Sequence, residues 1–258
     1  MSGLGALPDS WLMLGAVALG AALAGFVQGL SGFAFSLVAM GFWAWTLPPQ
    51  IAAPLAVFGA LLGQVASLAS VRRGFDFKRI TPLIVGGALG VPVGVFILHN
   101  VDPARFRLAI GSLMTLYSLF GLLARDPPRV KAGAGGVDAF AGLIGGVLGG
   151  LGGMSGTVPA MWTQLRGWKR DARRATMQIY NICMHVLTLT AYARTGTLDA
   201  TAFRLFALVA PAMLIPSFIG AHFYHRISEK AFERVVLVLL LGSGAALMVG
   251  GARAVAGK

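Results

Sequence analysis

Three polar side chains interrupt one apolar run of this sequence, Gln178, Asn181 and His185, with Gln64 and Ser67 in an earlier run. The spacings within the first group are 3, 4 and 7 residues, which puts them on one face of a helix. Such a stripe of amides and an imidazole can donate hydrogen bonds to an anion, or it can bond a neighbouring helix. Two glycine-rich segments carry a second kind of chemistry, Gln28-Gly29-Leu30-Ser31-Gly32-Phe33 and Gly149-Gly150-Leu151-Gly152-Gly153-Met154-Ser155-Gly156-Thr157. Without a Cβ the chain can leave helical dihedrals there and let a ligand reach the backbone. A helix restarting after such a break points free N–H groups and the positive end of its dipole at whatever lies in front, an anion site in waiting. Ser31, Ser155 and Thr157 add hydroxyl donors.

The candidate substrate-binding residues are therefore Gln28, Gly29, Ser31, Gly32, Phe33, Gln64, Gly152, Gly153, Ser155, Gly156, Thr157, Gln178, Asn181 and His185. Each has a plainer reading. Small residues in spans most often let helices approach closely, and Gly145, Gly149 and Gly153 have that spacing. Arg72, Arg73 and Arg194, at the ends of the runs carrying Gln64 and His185, either snorkel to lipid headgroups or form an electropositive vestibule.

All nine acids, Asp9, Asp76, Asp102, Asp126, Asp138, Asp171, Asp199, Glu229 and Glu233, fall at the ends of apolar runs or between them. A cation carrier or a carboxylate proton relay needs one at depth, so this pattern favours an anionic substrate. No HExxH and no paired carboxylates occur in a span, and one cysteine, Cys183, excludes a disulfide framework or a cysteine metal site. The expectation is no enzyme, no metal and no cofactor.

The elements that must hold these groups follow from composition. Of 258 residues, 57% are hydrophobic and 12% charged, against roughly a quarter charged in soluble domains. Eight apolar regions emerge: Trp11–Trp45, Ile51–Val71, Ile80–Leu98, Leu108–Ala124, Val137–Leu165, Thr176–Tyr192, Phe203–Phe223 and Phe232–Gly251. The first lacks a basic n-region and outruns an h-region, so it is kept as structure rather than as a signal. The +12 net charge flanks apolar runs, which fits contact with anionic lipid and not nucleic acid. The chain is expected to be an all-α polytopic membrane protein.

It also reads as a duplication. With an offset of 121, Gly29-Leu30-Ser31-Gly32 lies over Gly150-Leu151-Gly152-Gly153, Gln64 over His185 and Arg73 over Arg194. Small insertions then bring Pro92 to Pro216 and Phe106 to Phe232. The expected units are a first membrane repeat at 11–124, a linker at 125–136 and a second repeat at 137–251. Eight simple crossings give no charge bias. If the two longest runs each fold as a broken, re-entrant hairpin followed by three spans, fifteen of the 21 cations share one face. Arg105, Arg107, Arg194, Arg204, Arg253 and Lys258 take the other. The positive-inside tendency selects this arrangement, which makes the repeats inverted and puts both termini outside an inner membrane.

At Gly25-Phe26-Val27-Gln28-Gly29-Leu30-Ser31-Gly32-Phe33 and Gly149-Gly150-Leu151-Gly152-Gly153-Met154-Ser155-Gly156 the sequence resembles the TauE/SafE sulfite-exporter family of the toluene-sulfonate-uptake permease superfamily. The resemblance implies transport of sulfite, sulfoacetate or a related sulfonate, usually outward. Ala34 stands where the first motif would be expected to continue with glycine, a change that narrows that half-site. An uptake permease or channel for another small anion remains the alternative, ahead of a membrane enzyme or a structural subunit. The choice of sulfur anion, import against export, proton coupling and homo-oligomerisation are left open by the residues.

Overall fold

The computed structural model describes residues 11–31, 34–68, 77–123, 135–168, 170–223 and 229–257. They form ten helices and no strand among the described residues: α1 Trp11–Ser31, α2 Phe35–Thr46, α3 Pro49–Ser67, α4 Phe77–Asn100, α5 Pro103–Leu123, α6 Gly136–Gly152, α7 Thr157–Leu165, α8 Arg170–Arg194, α9 Ala200–Phe223 and α10 Glu229–Ala256. Gly32 and Phe33, Arg72 and Arg73, and linker positions 125–134 lie outside the described residues.

Six helices are long and apolar enough to cross a membrane: α1, α3, α4, α5, α9 and α10. Large apolar side chains such as Phe96, Leu116, Phe218 and Leu239 are exposed on the outside of the bundle, as a lipid-facing surface requires. The chain is a polytopic helical membrane protein. α8 begins six residues before the expected run Thr176–Tyr192. A hydropathy window stops at Arg173 and Arg174, but arginine is a good helix former and the backbone ladder continues through it.

Both overlong runs divide into two helices, α1 and α2 in the first and α6 and α7 in the second. Gly153 ends α6 in the left-handed region, φ 75°, and its N–H bonds Gly149 O at 2.8 Å. After each break the chain doubles back. Trp43 Nε1 on α2 donates to Ala16 O at 3.3 Å, and Trp162 Nε1 on α7 donates to Asp138 Oδ1 at 2.6 Å. Arg166 Nε lies 4.0 Å from the same carboxylate oxygen. Asp138, in the first turn of α6, thus faces the positive end of the helix dipole, one hydrogen-bond donor and a guanidinium at ion-pair distance, which explains a buried acid at a helix end.

The two hairpins start from opposite ends of the bundle. The base of α1–α2 lies with the starts of α3 and α5 and the ends of α4 and α8. Arg107 stacks 5.9 Å from the Trp45 ring there, Gln50 Nε2 donates to Leu98 O at 3.3 Å, and Thr197 Oγ1 pairs with His99 Nε2 at 3.0 Å. The base of α6–α7 lies at the other end, where Arg79 of α4 stacks 5.6 Å from Trp168.

Each hairpin's first helix packs along a helix of the other half. A Cβ on Gly86, Gly90 or Gly94 of α4 would strike the carbonyls of Ala139, Leu143 or Val147 on α6. One on Gly142, Gly146 or Gly150 would strike Leu83, Gly87 or Val91 in return. The helices run parallel at backbone contact, the geometry that small-xxx-small stripes permit. α1 lies along α9 in the same way, Gly25 on Met213 O, Gly29 on Ser217 O and Gly220 on Phe26 O. The packing stripe of α6 is 142, 146 and 150. Gly145 and Gly149 instead face Ser155 within their own hairpin. α5 and α10 pair antiparallel, Gly111 meeting Gly244 and Gly121 meeting Leu237.

Candidate functional site

Two tyrosines hold α8 against α6. Tyr180 Oη donates to Gly142 O at 2.9 Å and Tyr192 Oη donates to Gly150 O at 2.7 Å, both on α6 and both buried. These anchors fix the rotation of α8 and turn Gln178, Asn181 and His185 inward. All three are 5% exposed or less. In hydrocarbon that stripe would be costly, and here it is wholly inside protein.

A cavity of about 250 Å³ opens along this face. Its inner wall is Ser31, Ala34, Ser36, Gln64, Gly153, Gly156, Thr157, Asn181 and His185, and its outer wall includes Tyr117, Phe120, Met161, Phe232 and Leu237. Arg173, Arg174 and Gln164 line it toward the Trp168 end. The starts of α2 and α7 both reach it, each the positive end of a helix dipole. Among the described residues no carboxylate lines it. It is a chamber with polar walls drawn from both halves of the chain and two arginines at one end.

Of the residues singled out by sequence, Ser31, Gln64, Gly153, Gly156, Thr157, Gln178, Asn181 and His185 line this one cavity. The tips of the hairpins meet beside it: Gly153 sits against Ser36 and the backbone of Val57, and Gly152 against Met40. Ser155 lies just behind the wall and donates to Asn181 Oδ1 at 3.2 Å. Gln28 also stands behind it, its Oε1 accepting the Phe35 N–H at 3.1 Å and so satisfying the first donor of α2. Gly29 lies in the α1–α9 interface. Arg194 is at the far end of α8 from Arg173 and outside the lining.

The donors are not equally committed. Gln178 Nε2 bonds Gln64 O at 2.9 Å and Ser67 Oγ at 3.2 Å, so it ties α8 to α3. His185 Nδ1 is buried with no hydrogen-bond partner among the described residues. An unpaired buried polar atom costs about 1–3 kcal/mol, so this is the group in the wall with most to gain from a ligand. Sequence reading missed Ser36, Gln164, Arg173 and Arg174. The arginines were legible only as topology signals, and Ser36 follows the glycine break without any pattern of its own.

Apolar helices packed around a polar chamber with no carboxylate among its described lining residues suit a membrane transporter. The family model for the sulfite exporter TauE/SafE matches residues 17–247, and the chain belongs to that family. It is also similar to the protein named "Probable sulfite/organosulfonate exporter TauE" of Cupriavidus necator, 25% identical over 231 residues that cover 87% of this chain and 89% of the relative. No solved structure matches the chain.

Proposed function

We propose that this protein is an exporter of a small sulfur-containing anion, sulfite or an organosulfonate, bound between the starts of α2 and α7 near the middle of the bilayer. One observation carries the reading. Polar side chains far apart in sequence, Ser31 and Gln64 on one side and Thr157, Asn181 and His185 on the other, line a single chamber with no carboxylate among the described lining residues. Donors of both halves then replace part of the anion's hydration shell, and the substrate is the small anion that the name of the Cupriavidus necator relative also indicates.

The halves are read as inverted repeats, 11–124 and 137–251 around a linker at 125–136, with re-entrant hairpins and both termini outside an inner membrane. The reciprocal pairing of α1 with α9 and α6 with α4 supports this, as do the matching roles of Gly29 and Gly150 as contact glycines at an offset of 121. The chamber then opens toward the cytoplasm, and rocking of the halves exposes it alternately. Transport rather than catalysis fits a wall that offers donors but no acid–base pair.

Flux in proteoliposomes, compared for sulfite, sulfoacetate, sulfate and acetate, is the test. Saturable flux of a sulfur anion with acetate excluded is expected. Acetate moving as well as sulfite and sulfoacetate would point to a general anion pathway and against this function.

A further inference from the structure

We infer that Arg173 and Arg174 form a second anion station at the mouth of the chamber, one that takes a sulfonate or sulfite before the inner donors do; this rests on the proposed function. Arg173 is half-buried in the cavity wall and Arg174 is exposed beside it. Neither has an ion pair or hydrogen bond to a side chain that the structure describes, and the side chains of Asp171, Glu229 and Glu233 lie outside that set. The lining offers no carboxylate among those residues to neutralise them.

Their position argues for a ligand. Both stand at the start of α8, which begins at Arg170, where the helix dipole is already positive. A cation near a helix start is unfavourable by up to about 0.3–1 kcal/mol, an effect that fades past the first turn. An oxyanion relieves the repulsion between dipole and guanidinium, and the planar fork of arginine matches two oxygens of a sulfonate as it matches those of a carboxylate.

Distance separates this station from the inner one. His185 lies twelve residues further along the same helix, roughly 18 Å at helical rise. A small anion spans a fraction of that length and cannot touch both groups together. Met177, Gln178 and Asn181 line the cavity between them, so α8 presents an outer charged contact, a short neutral stretch and an inner unpaired imidazole in sequence. The outer contact raises the local concentration of anion through a long-range field, and the inner contacts select it.

The experiment measures initial flux of sulfite and sulfoacetate in proteoliposomes at about 20 mM and about 500 mM salt, where screening differs several-fold in range. The parent is compared with the pairs Arg173→Gln/Arg174→Gln and Arg173→Lys/Arg174→Lys. The glutamine pair is expected to raise KM about tenfold at low salt with kcat within about twofold, and to lose most of the salt dependence. The lysine pair keeps the salt dependence, with a KM between the other two. An unchanged KM and salt response in an inserted glutamine pair would overturn the inference and leave the proposed function standing. A glutamine pair that fails to insert, beside a lysine pair with parent kinetics at both salts, would assign the arginines to membrane retention and equally overturn it. If the parent moves neither anion, the proposed function fails and takes the outer station with it.

Discussion

At the scale of single residues, the stripe on α8 divides into groups that hold helices and groups that face the chamber. Gln178 spends its amide on Gln64 O and Ser67 Oγ, so its substitution should act on stability. Asn181 accepts the Ser155 hydroxyl on Oδ1 and keeps its N–H donors for the cavity that it lines, and His185 has an unpaired Nδ1. Asn181→Leu and His185→Leu are each expected to weaken sulfur-anion binding about tenfold or more, the loss of a hydrogen bond to a charged group. Melting temperature should fall more for Gln178→Leu than for His185→Leu. Equal melting losses with unchanged affinity would return the whole stripe to helix pairing. Gly153→Leu is expected to abolish flux, because φ is 75° and a side chain there would meet Ser36 and Val57. The sequence showed the stripe through its period, since burial of polar groups in a bilayer requires a face. It could not separate Gly29 from Gly153. Both lack a Cβ because protein lies close, Ser217 O on α9 in one case and Ser36 with the Val57 backbone in the other, and of the two only Gly153 also lines the cavity.

At the scale of elements, helix ends were readable and partnerships were not. Gly-rich runs marked the ends of α1 and α6, and acids expected near helix ends include the caps of α5 and α9. Asp102 Oδ1 accepts the Ala104 and Arg105 N–H groups at 2.9 and 3.0 Å, and Asp199 Oδ1 accepts that of Ala202 at 2.7 Å. The start of α8 was hidden because hydropathy falls at charge while helix propensity does not. Pairing of α4 with α6 depends on glycines at 86, 90 and 94 meeting 142, 146 and 150, a correspondence between distant stripes that one stripe alone does not specify. Gly146→Leu should therefore destabilise by about 1–3 kcal/mol or more through overpacking at backbone contact. Gly242→Leu, where a Cβ meets nothing within 4 Å, should change stability by no more than about 0.5 kcal/mol. Denaturation in mixed micelles would compare them, and similar losses for both would show that the close pairing of α4 with α6 contributes little. Asp138→Ala, which strips Trp162 Nε1 of its acceptor and Arg166 of an ion-pair partner, should lower the melting temperature and loosen the base of the second hairpin in hydrogen exchange.

For the whole molecule, the excess of fifteen cations over six becomes a statement about sides of the membrane. Cysteine labelling is expected to find positions near Lys131 and Arg170 in the cytoplasm and both termini outside. Labelling of 131 and 170 from opposite faces would eliminate the hairpin topology. Energetics follow from the same orientation. With the interior negative, each negative charge leaving gains about 2.3 kcal/mol per 100 mV, while a tenfold concentration ratio opposes by about 1.4 kcal/mol. A monoanion can be driven outward past a gradient of more than tenfold without a coupling ion. Flux under an imposed potential, with no proton or sodium gradient, should therefore persist in the parent and in His185→Gln. A strict need for a proton gradient, lost with His185, would replace uniport by proton-coupled transport.

The parallel contact of α1 with α9 has a consequence for how the chain is made. Gly29 lies against Ser217, a residue that leaves the ribosome about 190 residues later, on the order of 10–40 s at usual elongation rates. During that interval α1 resides in lipid with its glycine face open, while α4 and α6, about 50 residues apart, can already close. Insertion and assembly are thus separate stages, and the return of the first helix to a partner from the far half is a late step of biogenesis, beside the docking of α10 on α5. A fragment ending at 124 would insert and yet never complete its packing, whereas the same fragment supplied together with 125–258 would recover it.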